Sequence, residues 1–246
     1  MTEPAGPAPG HTRVTTLETW DLWLDGARSP SLNMAIDEAL LRTAAGRGRP
    51  LLRFYDWDCA AVSIGCHQRR AAVDRPGLTL VRRPTGGGVV FHDGDLTYTV
   101  AIPAAHWLTG VDRDASYGHI NRAVADGLGR AAMTASLTRQ VIAAHIDRRT
   151  MVCFSHPTRY DVVSGGRKVA GAAQRRTADG ILHQGSVRPD GAGTGRRDDV
   201  RQCLIAGFAE TLNLQFDAFV PGEGLLAAAA ELAAGKYSCD AWNHRY

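Results

Sequence analysis

The 246-residue chain has no apolar run near the ~20 residues that span a bilayer, so a helical membrane protein is not expected. It has no block of basic residues either. Its 28 lysines and arginines are scattered among 25 acidic residues, for a net charge of +3, and this argues against a nucleic-acid footprint. The five cysteines, Cys59, Cys66, Cys153, Cys203 and Cys239, form no C-x-x-C pair and no even-numbered disulfide framework. Reduced thiols in a cytoplasmic protein are the expectation, and no metal site is expected. A P-loop is absent, because no Lys-Ser/Thr follows the glycines, and so is a G-x-G-x-x-G opening a helix. Neither repeats nor a linker break up the chain. With 44% apolar and 22% charged residues, the composition is that of one ordinary globular domain.

What is present reads as alternating short elements. MTEPAGPAPGHTR is a solvated Pro/Gly stretch, so residues 1–15 are expected to be a disordered tail and 16–246 the folded domain. SPSLNMAIDEALLRTAAG predicts a helix capped by Ser29, with Pro30 in its first turn. Leu32, Ala35, Ile36, Ala39 and Leu40 form its apolar stripe, and Gly46 ends it. Asp37 and Glu38 fall off the stripe and are expected in solvent. Strand character recurs at 20–24, 51–57, 60–65, 79–83, 89–92 and 96–102, too closely spaced for helices between the later ones. A helix follows over 117–132. Strands at 160–163 and 167–170 flank the turn Ser164-Gly165-Gly166, another strand spans 181–187, and an exposed loop covers 188–199. Helices over 200–212 and 225–234 finish the pattern. The class predicted is α+β, a single domain with a mixed, largely antiparallel sheet flanked by helices.

Two segments could carry chemistry. In RRPTGGGVVFHDGDLTYTV, three successive glycines let main-chain N–H groups approach a ligand and point at an anionic or carbonyl oxygen. The bland alternative is a glycine-rich hairpin beside a buried His92. In CFSHPTRYDVVSGGRKVAGAAQRRTADGILHQGS, Lys168 sits between apolar neighbours and ahead of small residues that leave room for a bound chain. Cys153 is a candidate thiolate nucleophile and His183 a candidate polar contact. Taken singly, a snorkelling lysine, an inert buried cysteine and a core histidine are the better readings.

Together, RRPTGGGVVFHDGDLTY, YDVVSGGRKVAGAAQRR and ILHQGS resemble the lipoate–protein ligase and octanoyltransferase family in order and spacing. SLNMAIDEALL and KYSCDAWN are similar to family segments too. The resemblance implies the fold shared by lipoyl and biotinyl ligases, related to class II synthetases, with the acyl chain in a tunnel. It implies that Lys168 is the essential lysine and that Arg82, Thr85, Gly86, Gly87 and Gly88 close over the acyl carbonyl or its activated leaving group. Tyr160 and Asp161 become a polar pair near the lysine, and His92, Ala170, Gly171, Ala173, His183 and Gly185 further substrate-binding residues.

Within that family, three features resemble the carrier-dependent transferases more than the ATP-dependent ligases. No accessory domain follows KYSCDAWNHRY; HDGDLTYTV lacks the asparagine common in ligases; and Cys153 matches the acyl-accepting cysteine of cysteine-dependent octanoyltransferases. Gly88 departs from the GGR those enzymes often carry. The expected reaction is ping-pong transfer of an octanoyl or lipoyl group. Octanoyl-acyl carrier protein would be the donor, Cys153 the intermediate acceptor, and the final acceptor the lysine of a lipoyl domain, on a glycine-cleavage H protein or a dehydrogenase E2 subunit. No cofactor is then needed. A ligase subunit using ATP and Mg²⁺, or a non-catalytic lipoyl-domain binder, are the alternatives.

Overall fold

The first described strand has parallel partners on both edges, one the next strand along the chain and the other far from it in sequence. This computed structural model describes residues 16–73, 75–143, 145–189 and 194–246, and the expected tail over 1–15 lies outside them. Strand β1 (Glu18–Arg28) is longer than the five residues predicted. It lies between β2 (Leu51–Trp57) and β11 (Leu214–Ala218), both parallel to it. The other strands of this sheet are β6 (Leu96–Pro103), β7 (Ser136–Leu137), β8 (Val162–Ser164), β9 (Arg167–Thr177) and β10 (Gly180–Val187). They pair antiparallel, in the order β11-β1-β2-β6-β10-β9-β8-β7. Strands β3 (Ala61–Ile64), β4 (Thr79–Arg82) and β5 (Val90–His92) make a second, three-stranded sheet in the order β4-β3-β5. The mixed α+β class expected from the sequence is the one found.

Alternation along the central strands sends side chains into two cores. Leu52, Phe54, Tyr98, Val100 and Ile181 pack on one face against α4 (Arg113–Arg130) and α5 (Thr194–Thr211). Helix α5 begins inside the loop predicted over 188–199; residues 190–193 of that loop lie outside the described set. On the opposite face Leu51, Tyr55 and Ala101 meet α1 (Pro30–Arg42) and α6 (Glu223–Leu232). Short helices α2 (Ala44–Arg47), α3 (Trp107–Gly110) and α7 (Asp240–Asn243) complete the set.

Ser29 caps α1 by accepting from the Leu32 N–H at 3.3 Å, and Pro30 occupies its first turn. The left-handed residue after it is Gly48 (φ 72°), following α2, rather than Gly46. Asp37 and Glu38 are buried, contrary to expectation. Helix α1 is enclosed by the sheet on one side and by α6 and its π-helical extension Ala233–Tyr237 on another, so its polar residues also face protein. Asp37 is compensated by Arg53 at 2.7 Å, Thr99 and Gln184 at 2.7 Å each, and Tyr55 at 3.1 Å. Glu38 takes Arg42, Lys236 and Tyr237. A buried carboxylate is tolerated when every lone pair has such a donor.

Candidate active site

The Ser164-Gly165-Gly166 turn sets the site's first residue. Gly165 and Gly166 have φ of 54° and 77°, the left-handed pair of a tight hairpin, and β9 leaves it at Arg167. Pairing of β8 with β9 shifts register between Val162 and Val163, which face Ala170 and Lys168. Lys168 thereby lies over Gly171. Its Nζ is 2.7 Å from Asp161 Oδ2 and 3.2 Å from Cys153 Sγ. Asp161 is itself held by the Thr158 N–H at 2.6 Å and its hydroxyl at 2.9 Å. All three side chains are buried. Burial opposes the ammonium, but the charges of Cys153 and Asp161 outweigh it, and the lysine's pKa lies above its ordinary value. Lys168 is therefore a fixed cation rather than a base.

Cys153 is carried by the glycine loop. Val89 N–H donates to Met151 O and Cys153 N–H to Val89 O, both at 2.9 Å, around a parallel bridge between Val89 and Val152. The approach is close enough that a Cβ on Gly88 would lie 2.7 Å from Met151 O and 2.8 Å from Cys153 N. Arg83 organises the loop from behind. Its Nη2 donates to Gly86 O and Gly88 O at 2.8 Å each, and its Nη1 to Ser63 O and Ser63 Oγ, also at 2.8 Å.

Beyond Ser63 the polar chain continues to His92. The Ser63 hydroxyl is 2.7 Å from His92 Nε2, and His92 Nδ1 is 2.9 Å from Asp95 Oδ2. That same oxygen accepts from Ser186 at 2.6 Å and Thr97 at 3.1 Å. Burial pushes the Asp95 carboxyl up, but His92 and the two hydroxyls more than offset it and hold it below the usual range. The imidazole stacks on Trp57, with centroids 3.9 Å apart.

Cys153, Gly87, Gly171, Ala173, Ser63 and His92 line one cleft, together with Met34 and Tyr55. Gly185 also lines it, and Thr85 reaches its wall through a 2.6 Å bond to Gln184. Gly86 contributes its carbonyl to Arg83.

Four predicted residues point elsewhere. Arg82 neighbours Arg83 in sequence, and its guanidinium runs the other way, donating to Trp242 O, Asn243 O, Gly65 O and Gln68 O. It fastens the C-terminal segment. Ala170 packs in the α4–α5 core, because β9 alternation turns it away from Gly171. The Tyr160 ring lies on Gly118 of α4, and its carbonyl accepts from Asn121. His183 is on the far face of β10, between Gln174 at 3.0 Å and Tyr98 at 3.3 Å, and burial pushes its pKa down to about 3. Sequence reasoning missed Arg83, Ser63 and Asp95. Adjacent strand residues face opposite ways, so RR offered a choice of two; Asp95 was legible only as a carboxyl three residues after His92.

Comparison with known proteins accords with this geometry. The description "Lipoyl protein ligase A/B catalytic domain" matches residues 29–207. "Octanoyltransferase LipM" of Lysinibacillus sphaericus is 30% identical over 275 aligned residues, covering 93% of this chain and all of that protein. A lipoate-protein ligase A solved with ATP superposes with a TM-score of 0.76 at 26% identity, over 92% of this chain and 98% of that one. A bipartite lipoate protein ligase of Thermoplasma acidophilum, studied with its E2 lipoyl domain, gives 0.74 at 25% identity over 93% and 97%. With a family match over most of its length and a fold shared throughout, the chain belongs to the lipoyl protein ligase A/B catalytic domain family.

Proposed function

We propose that this protein is an octanoyltransferase of protein lipoylation, working by ping-pong through a Cys153 thioester. The observation that carries this is the buried Cys153–Lys168 pair, 3.2 Å apart, with Asp161 locking the lysine in place. An ammonium that close stands beside the sulfur that must attack the acyl carbonyl and later leave it. The Cys153 thiolate attacks the thioester carbonyl of an acyl group delivered on a carrier protein. The C–S bond to the carrier breaks, its sulfur departs as thiolate and takes a proton from water, and the acyl group stays on Cys153. The lysine amine of a lipoyl domain then displaces Cys153 and takes the acyl group as an amide.

The cleft suits both steps. Arg83 fixes the Gly86 and Gly88 carbonyls, and the amides of that loop are the donors proposed for the developing oxyanion. Gly87 and Ala173 line the cleft with little side-chain bulk. Asp95 is occupied by His92, Thr97 and Ser186. The thioester already contains the energy of the amide bond, so the reaction calls for no nucleotide. The name of the Lysinibacillus relative supports octanoyl transfer, and the E2 lipoyl domain paired with the Thermoplasma ligase supports a lipoyl-domain acceptor.

The test is intact-mass analysis after incubation with octanoyl-acyl carrier protein and no ATP. An octanoyl increment on Cys153, chased away by a lipoyl domain, is expected. Transfer that persists in Cys153→Ala overturns the ping-pong step, and strict dependence on ATP and Mg²⁺ would assign the chain to ligase chemistry.

A further inference from the structure

Aminolysis of a thioester poses a proton problem that the Cys153–Lys168 pair does not solve. When a neutral amine attacks the acyl carbonyl, its nitrogen becomes positively charged and must shed a proton before the C–N bond is secure. Lys168 cannot take that proton, since Asp161 at 2.7 Å holds it as an ammonium with no lone pair to offer. Asp161 faces Lys168 and Thr158.

The same cleft contains a second polar chain with a defined direction. Asp95 is a carboxylate and can only accept, so His92 Nδ1 donates to it. In the neutral imidazole Nε2 is then an acceptor, and the Ser63 hydroxyl donates to it at 2.7 Å. Arg83, which can only donate, makes a 2.8 Å hydrogen bond to Ser63 Oγ and so leaves the hydroxyl hydrogen to the imidazole. Ser63, His92 and Asp95 are all buried, and Ser63 and His92 line the cleft. The Trp57 ring on His92 keeps the imidazole plane fixed, while Trp57 Nε1 is tied to Thr97 at 2.9 Å. Arg83 links this chain to Gly88, against which the Cys153 backbone is packed. A core histidine needs partners, but it does not need a serine hydroxyl aimed at a free nitrogen lone pair inside a substrate cleft.

We propose that Ser63, His92 and Asp95 form a proton relay for the second half-reaction, in which the acyl group passes from Cys153 to the acceptor lysine. The inference rests on the acyl-enzyme reading above. As the amine nitrogen bonds to the carbonyl carbon, it gives one proton to Ser63 Oγ while the serine's own proton moves to His92 Nε2. The tetrahedral intermediate then collapses, the C–S bond breaks, and its electron pair returns to Cys153 as thiolate beside Lys168. Asp95 stabilises the imidazolium, which loses its proton to water when the amide product leaves.

The experiment compares two nucleophiles on octanoyl-loaded enzyme, for wild type, Ser63→Ala and His92→Gln. Hydroxylamine is a weakly basic amine that reacts without a strong proton acceptor, whereas the lysine of a lipoyl domain needs one. Both variants are expected to form the Cys153 adduct at the wild-type rate, to release it to hydroxylamine normally, and to pass it to the lipoyl domain about 100-fold more slowly. Ser63→Ala leaves every other bond of Arg83 in place, so it tests the relay even where His92→Gln folds poorly. Wild-type release to the lipoyl domain overturns the relay. Equal slowing toward both nucleophiles, or slow adduct formation, also overturns it and makes the chain a structural support. Failure of wild-type enzyme to form any adduct would instead remove the acyl-enzyme reading and the relay with it.

Discussion

A Cβ added to Gly171 would stand 2.3 Å from Lys168 Cε and 2.6 Å from its Nζ. The lysine reaches both Cys153 and Asp161 only because position 171 has no side chain. Gly171→Ala is expected to push the ammonium off the sulfur and reduce transfer about 100-fold, the usual cost of misplacing a reacting group by an ångström. The clash falls on the end of a flexible side chain, so the melting temperature should change by only a few degrees. Single-turnover acylation alongside thermal melts decides it; wild-type acylation would show that the lysine need not be so close.

Lys168→Ala should abolish transfer and also destabilise the fold. It leaves Asp161 as a buried carboxylate with no cation, a loss on the order of 3–5 kcal/mol. The double variant Lys168→Ala/Asp161→Ala should regain much of that stability while remaining inactive. Urea denaturation of the three variants, read with the transfer assay, separates the two roles; turnover near wild type in either would refute the catalytic one.

Gly88 predicts a different pattern. Its hypothetical Cβ meets backbone, Met151 O at 2.7 Å and Cys153 N at 2.8 Å, and backbone cannot swing aside. Gly88→Ala should therefore lower stability by about 1–3 kcal/mol, as overpacking does, and slow acylation as the nucleophile is displaced. Gly86→Ala meets nothing within 4 Å and serves as the matched control. Equal behaviour of the two variants would contradict the packing described.

His183 ties stability to pH. Its pKa is about 3 in the fold because burial excludes the charged ring, against about 6.5 when unfolded. The unfolded chain therefore binds the extra proton between those values, and stability from this residue is intact above pH 6.5 and lost as pH falls toward 3. The slope is at most about 1.4 kcal/mol per pH unit. Urea midpoints at pH 7, 6 and 5 should fall in the wild type more steeply than in His183→Gln; parallel profiles would count against a neutral, buried histidine.

Much of the frame was legible because it rests on short-range rules. The strand at 51–57, the Ser29 cap and the Ser164-Gly165-Gly166 turn follow from alternation, side-chain oxygens and left-handed glycine, and all appear where expected. Asp37 was misplaced for an equally physical reason. Periodicity records which helix face is apolar and is silent on whether a carboxylate opposite it will meet Arg53, sixteen residues away. Arg82 and Arg83 failed similarly: the sequence shows two cations, and only the sheet decides which one faces the cleft. Strand β11 was missed because its outer positions are exposed, so it lacks the hydrophobic alternation that reveals a strand.

The parallel pairing of Glu18 with Leu214 also bears on how the molecule is made. A ribosome adding about 5–20 residues per second leaves β1 without its outer neighbour for on the order of ten to forty seconds. During that time the nascent chain presents an open row of amides and carbonyls, to which another strand could anneal. Chaperone capture of this protein during translation should therefore be greatest before residue 214 emerges, and slowing synthesis should lengthen that exposure.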